Sequence, residues 1–321
     1  MKTLTKIALI IAVLLIVAGI TLFSAAMFTL DFDFSKLDNS EYITNTHEFN
    51  DGISYINVDV DTTNVKVLPS EDDTFKVVCK ENKDKPHKVS VENNTLMIDS
   101  SDKKWFNFLT IFNFNKSEIT LYIPERFATA YTLQSEDSTT ALYTSVYQVS
   151  IDSDTGDITV EDVEYAKSLN LTSDTGKISV SNTIVNRLNA ETDTGHINLR
   201  KVTATETLET DTDTGDTTIE NCKSSEVSAK ASTGYITLKE TEASHNINTK
   251  TSTGDITFTN SDAENIYAKS STGHITGSVL TSKTFRADSS TGNVSVPGTT
   301  GIGIFEAKTS TGDINLSYSE N

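Results

Sequence analysis

The sequence predicts an all-β fold, a single-stranded parallel β-helix (β-solenoid) of about 19–20 residues per coil preceded by one N-terminal transmembrane helix, and three observations carry that expectation. Thr-Gly recurs in register at Gly156, Gly176, Gly195, Gly215, Gly234, Gly254, Gly273, Gly292 and Gly312, with spacings of only 19 or 20 residues. Around each glycine, apolar and polar residues alternate with the period of two that marks strands. Near the N-terminus, Ile7–Phe28 runs for 22 residues without a charge, enough to cross a bilayer.

Three copies of the repeat, VSIDSDTGDITV from Val149, INTKTSTGDITF from Ile247 and FEAKTSTGDINL from Phe305, show its unit. Alternation through Val149, Ile151, Ser153 and Thr155 resumes after the glycine as Ile158 and Val160, one residue out of phase, so the glycine marks a corner or bulge. About 20 residues are too few for a strand-plus-helix repeat and suit two or three short strands per coil. Stacked coils then align equivalent residues in columns about 4.8 Å apart. One expected core column is Val149, Leu169, Leu188, Leu208, Val227, Ile247, Ile266, Phe285 and Phe305; a second is Ile158, Ile178, Ile197, Ile236, Ile256, Ile275, Val294 and Ile314, with Thr217 its exception. A third column is small: Ala190, Ala229, Ala268, Ala287 and Ala307. The threonines before the glycines are expected to form an inward hydroxyl ladder.

Four segments follow in order: an anchor at 1–30, a polar tether at 31–52, irregular β coils or a cap at 53–148, and the regular solenoid at 149–321. Lys2 and Lys6 before the apolar run, and Asp31 and Asp33 after it, orient it as a single-pass anchor with the N-terminus cytoplasmic and the remainder outside the cell membrane. A cleaved signal peptide using Ser24, Ala25 and Ala26 is the competing reading, although the run exceeds the usual signal core of about 7–15 residues.

With 45 acidic and 26 basic residues, a formal charge of −19, the chain repels nucleic acid, and no nucleic-acid partner is expected. Its two cysteines, Cys79 and Cys222, lack metal-site spacing, and Cys222 occupies a slot filled by Val163, Val202 and Leu280 in other coils, so it reads as core filler. After the anchor, the leader DVDTTNVKVLPSEDDTFKVVC, the TLMID and ITLYIP strands and the serial TGxI coils resemble the bacterial putative-adhesin domain family, whose LiaG-like members are envelope proteins. That resemblance covers almost the whole chain beyond the anchor and implies an extracytoplasmic β-solenoid with no assigned enzymatic activity.

Several constellations carry sharper chemistry. Asp154-Thr155-Gly156, repeated at Asp174, Asp193 and Asp213, spells the aspartic-protease triplet. An acid dyad needs two buried carboxylates, whereas this triplet is copied serially and then becomes Ser-Thr-Gly from Ser232, so it reads as structural. Asp152, Asp154, Glu191, Asp193, Asp211 and Asp213 are candidate Ca²⁺ ligands, because stacked carboxylates repel and a hard cation relieves them; a solvated acidic face is the plainer alternative. Lys230, Lys250, Lys269 and Lys308 switch the sign of the outer face in later coils. His196 and His274 share a column but sit four coils, roughly 19 Å, apart, too far for one metal. In KKWFNFLTIFNFNK, Trp105, Phe106, Phe108 and Phe112 are candidates for contact with the membrane interface; an edge strand or a flap over the open solenoid end is the structural alternative.

No catalytic or cofactor-binding residue is expected, and no cofactor apart from the Ca²⁺ ladder. The expectation is a membrane-anchored adhesin-like or scaffold protein of a bacterial envelope, binding an envelope protein or glycan through the solenoid's outer faces rather than acting as an enzyme. A carbohydrate-active β-helix enzyme and an accessory protein of envelope-stress signalling are the alternatives.

Overall fold

The structure, a computed structural model, describes residues 2–29, 31, 41–50, 52–72, 74–100, 117–124, 129–135, 138–144, 147–164 and 166–319. The chain divides into two compact units, residues 1–42 with 104–116 and residues 43–103 with 117–321. In the first, helix α1 (Lys2–Thr29) includes Ile11–Thr29, a 19-residue stretch of mean hydropathy 2.6 that is long and apolar enough to cross a membrane.

The second unit is the solenoid. Its strands are β1 (Tyr42–Phe49), β2 (Tyr55–Val60), β3 (Thr63–Ser70), β4 (Phe75–Asn82), β5 (Lys88–Glu92), β6 (Thr95–Asp99), β7 (Ser117–Pro124), β8 (Thr129–Ser135), β9 (Ser138–Thr144), β10 (Gln148–Ser153), β11 (Ile158–Glu161), β12 (Ala166–Thr175) and β13 (Ile178–Thr194). They continue with β14 (Ile197–Thr214), β15 (Thr217–Glu220), β16 (Lys223–Thr233), β17 (Ile236–Lys239), β18 (Glu242–Thr253), β19 (Ile256–Thr259), β20 (Asn265–Thr272), β21 (Ile275–Val279), β22 (Thr284–Thr291), β23 (Val294–Ser295), β24 (Ile304–Thr311) and β25 (Ile314–Tyr318). Pairing between coils is parallel, while β8 and β9 form a separate antiparallel hairpin.

Both expected core columns run through the unit. Val149 stacks on Leu169, Leu169 on Leu188 and Leu188 on Leu208, all buried. Ile158, Ile178, Ile197, Thr217 and Ile236 stack likewise, and Thr217 is fully buried in this otherwise aliphatic column. The regular stack begins earlier than 149: Ile56 and Val58 pair with Val149 and Ile151, and Val65 and Val67 with Ile158 and Val160. A further layer, β6 and β7, lies against β2 and β3, and antiparallel β4 and β5 close that end. Tyr42–Phe49, expected within the tether, is a strand paired with β4; its half-buried positions Ile43, Asn45, His47 and Phe49 mix polar with apolar residues, which disguised the alternation.

At the other end, stacking order departs from chain order. β24 lies between β20 and β22, and β25 between β21 and β23. Phe305 therefore packs between Phe258, edge-on at 5.2 Å between ring centroids, and Phe285, stacked at 5.7 Å. Val294, expected in the core, is exposed because its coil is the last layer.

The glycine corner is a steric requirement. A Cβ on Gly254 would stand 2.0 Å from the Gly234 carbonyl oxygen, and Gly254 has a φ of 145°. The threonines of the Thr-Gly pairs are exposed, contrary to the inward ladder expected of them. The inward hydroxyls lie two residues earlier and bond to backbone rather than to one another: Ser173 donates to Gly156 O, Thr192 to Gly176 O, Thr212 to Gly195 O, Thr251 to Gly234 O and Ser270 to Gly254 O. That arrangement satisfies a carbonyl which the sharp corner turns away from the ladder.

A second corner uses left-handed residues that are not glycine. Asp162, Asn182, Lys201, Asn221, Glu240 and Asn260 carry φ between 48° and 57° at equivalent positions. The alternation of 19 and 20 residues resides at the third corner, where the register shifts between Val185 and Arg187, Ala204 and Thr207, and Ser224 and Glu226 as one or two residues bridge the turn.

Candidate functional site

One sheet face, built from β10, β12, the second halves of β13 and β14, β16, β18, β20, β24 and β22, turns alternate residues inward to the core and outward to solvent. Its central outward column reads, in spatial order, Asp99, Asp59, Asp152, Thr172, Glu191, Asp211, Lys230, Lys250, Lys269, Lys308 and Asp288. Charge is therefore sorted along the stack: acidic in the earlier layers, basic for four consecutive layers, acidic again at the last.

The acidic candidates occupy two neighbouring columns. Thr172 separates Asp152 from Glu191, while Asp154, Asp174, Asp193 and Asp213 stand on successive coils, all exposed. Partial burial, then Asp61, Asp174, Asp152 and Asp59, hold the Asp154 carboxyl above its ordinary value of 3.8. Asp59, Asp61 and Asp99 extend this strip; they escaped the sequence reading because their coils lack Thr-Gly. Among the described residues, the six Ca²⁺ candidates form no group of three ligand atoms within 4.8 Å of one another.

The lysine strip borders a groove of about 410 Å³ lined by Lys230, Lys250, Lys269, Lys308, Tyr267 and Glu306 among others. Lys230 pairs with Asp211 at 3.9 Å, and Lys308 with Glu306. Among the described residues, Lys250 and Lys269 have no ion-pair partner, so the two central ammonium groups face the groove uncompensated. Tyr267 is 39 % exposed and adds an aromatic face.

Several candidates resolve into structural parts. His196 Nδ1 accepts from the Asp216 backbone N–H at 3.0 Å, and His274 Nδ1 from that of Asp313 at 2.9 Å, so both histidines tie adjacent coils together. Cys222 is buried, and burial pushes its thiol up to about 11, as suits core filler. Trp105, Phe106, Phe108 and Phe112 lie outside the described residues.

The one described trio of close metal-ligand atoms is Cys79, Glu81 and His87, all within 4.8 Å. Spacing rules for metal sites did not flag it. The signal was Cys-x-Glu on one strand, which puts both side chains on one face, followed by a turn that returns His87.

A family model described as Toastrack DUF4097 matches residues 53–266 and, in an overlapping second match, 221–321. The chain belongs to the Toastrack DUF4097 family. Overlapping matches are natural for a Toastrack chain, because near-identical coils align in more than one register. Its solenoid is similar to solved structures of a putative adhesin from Bacteroides fragilis (15% identity, covering 86% of this chain and 97% of that chain, TM-score 0.44) and a putative lipid binding protein from Parabacteroides distasonis (13% identity, 87% and 98%, TM-score 0.46). A putative cell adhesion protein from Clostridium sporogenes is also similar (12% identity, 87% and 100%, TM-score 0.25). No curated protein matches this Toastrack chain.

Proposed function

We propose that this chain is an adhesin-like or scaffold protein, held in a bacterial cell membrane by α1 with the solenoid outside, that binds an acidic glycan of the envelope along the lysine strip. The observation that carries the reading is the strip itself: four lysines in register on successive coils, beside Tyr267, on a chain of net charge −19. Asp211 and Glu306 offset Lys230 and Lys308 locally, and at physiological salt the Debye length is about 8 Å, so a polymer lying in the groove responds chiefly to Lys250 and Lys269 rather than to acids farther along the stack. An extended acidic chain meets a positive charge about every 4.8 Å along the stack, and Tyr267 offers a flat apolar surface to a sugar ring. Each contact is weak, and many anchored copies supply the avidity.

We propose binding rather than catalysis. The outward charges form strips of one sign instead of converging as an acid–base pair around a reacting atom. The test uses the full-length protein in discs of neutral lipid, applied to an immobilised carboxylated polysaccharide. Retention that falls with salt and with Lys250→Gln/Lys269→Gln, but not with Lys201→Gln at the second corner, is expected. Equal retention of all three proteins would refute the assignment.

A further inference from the structure

We infer that Cys79, Glu81 and His87 form a binding site for one thiophilic divalent cation, Zn²⁺ by ligand chemistry, at the capped end of the solenoid.

The local fold brings these groups together. In β4, Phe75, Val77, Cys79 and Glu81 all face inward, so a carboxylate follows three core residues into the interior. A turn closed by Lys85 N–H to Asn82 O, with Asp84 N–H on Asn82 Oδ1, then reverses the chain and returns His87 over Glu81. The side chains of Glu81 and His87 are 1 % and 5 % exposed, and Cys79 is a fully buried free thiol.

The outer atom of each polar ligand is already held. Asn45 Nδ2 donates to Glu81 Oε1 at 2.6 Å, and Thr63 Oγ1 lies 3.0 Å from His87 Nε2. Glu81 Oε2 accepts the His87 backbone N–H at 2.6 Å and faces His87 Nδ1 at 2.6 Å, with the sulfur nearby. Ligands whose far atoms are fixed by a surrounding shell are the usual architecture of metal sites. In tetrahedral Zn²⁺ coordination, with Zn–N of about 2.0 Å and Zn–S of about 2.3 Å, ligand atoms stand roughly 3.3–3.8 Å apart. The Glu81–His87 contact has to open by about 0.7 Å, and the sulfur to close by no more than about 1.5 Å.

Charge favours the ion. A buried carboxylate needs a counter-charge, and one thiolate, one carboxylate and one neutral imidazole balance a dication completely. The thiol proton leaves to solvent as the ion binds. Thiolate with imidazole selects Zn²⁺ over the oxygen-seeking Ca²⁺ and Mg²⁺. The fourth position is open to water.

The experiment uses full-length protein in detergent, stripped with chelator and titrated with Zn²⁺ and, for its spectrum, Co²⁺. One ion per chain, a raised melting temperature and a thiolate-to-Co²⁺ charge-transfer band are expected, with the band absent from Cys79→Val. Glu81→Gln keeps the shape and the Asn45 contact but gives up the acceptor of the His87 backbone N–H, so it should fold with a lower melting temperature while losing at least about tenfold in Zn²⁺ affinity. Failure to retain an ion, an ion without the band, or unchanged affinity in both folded variants would overturn the assignment.

Discussion

Replacing Gly254 by alanine tests whether the glycine corner, rather than the apolar columns alone, holds the coils at their spacing. The new Cβ would sit 2.0 Å from Gly234 O, 2.6 Å from its carbon and 3.3 Å from the Tyr235 nitrogen, where 3.4 Å begins ordinary contact. All three are backbone atoms, so no rotamer relieves the clash. The coils would have to part by about 1.4 Å across a ladder in which Gly234 N–H donates to Thr253 O and Gly254 N–H to Thr272 O, both at 2.9 Å, and Thr251 Oγ1 bonds Gly234 O at 3.2 Å. A left-handed φ costs alanine about 1–2 kcal/mol. Overpacking adds about 1–3 kcal/mol, and each weakened buried hydrogen bond about 1 kcal/mol. The expected loss is roughly 3–6 kcal/mol, a large part of a typical total stability of about 5–15 kcal/mol. Urea unfolding followed by circular dichroism measures it, with Gly298→Ala as control, since a Cβ there meets nothing within 4 Å. Stability of Gly254→Ala within about 0.5 kcal/mol of the control would refute the reasoning.

Three further outcomes follow from the columns. The Thr217 hydroxyl is buried without a hydrogen-bond partner among the described residues, so Thr217→Val should raise the urea midpoint by the equivalent of about 1–2 kcal/mol; a lower midpoint would mean that the hydroxyl is satisfied. Lys201→Asn and Glu240→Asn, at left-handed φ of 53° and 49°, should each gain roughly 0.5–1 kcal/mol, whereas the same change at right-handed surface sites should not. Asp154 has a folded-state pKa above 3.8, so its favourable contribution is complete below pH 3.8 and is lost as pH rises through the folded value. Asp154→Asn should therefore melt higher than wild type at neutral pH, with the gap closing toward pH 3.8 and shrinking in salt; a gap constant with pH would exclude a charge origin.

The regular coils were legible because a solenoid repeats one environment: Leu169, Leu188 and Leu208 face the same core, so one pattern recurs in the chain. Thr-Gly named the corner correctly but misassigned its hydroxyl. The visible threonine is solvent-facing, and the working hydroxyl, at Ser173 or Thr192, hides among serine, threonine and, at Ala231, alanine, because any small residue fits there. The left-handed corner was invisible, since Asp162, Lys201 and Glu240 look like ordinary surface residues. The charge-sorted column was half legible. Lys230, Lys250, Lys269 and Lys308 stood out by spacing, but Asp59 and Asp99 join only through pairings that skip long stretches of chain. Cys79, Glu81 and His87 were missed because the contact depends on a turn and on Asn45 and Thr63 from other strands.

What sequence order least reveals is how the stack is closed, and that closure explains the arrangement of both ends. A parallel coil leaves an open edge ready to pair with another chain. At one end, β4 and β5 run antiparallel against β7 and β6, and β1 in turn covers the outer edge of β4. At the other, the final layer β22 and β23 carries outward Arg286 and Asp288 and runs past a two-residue strand toward Pro297, which has no N–H to offer an incoming strand. β24 and β25, although they follow in sequence, are seated beneath that layer with partners on both sides. Phe305 is thereby clasped between Phe258 and Phe285. The outermost layer is thus a segment tethered by chain on both sides, while β24 and β25 are held by two ladders rather than one.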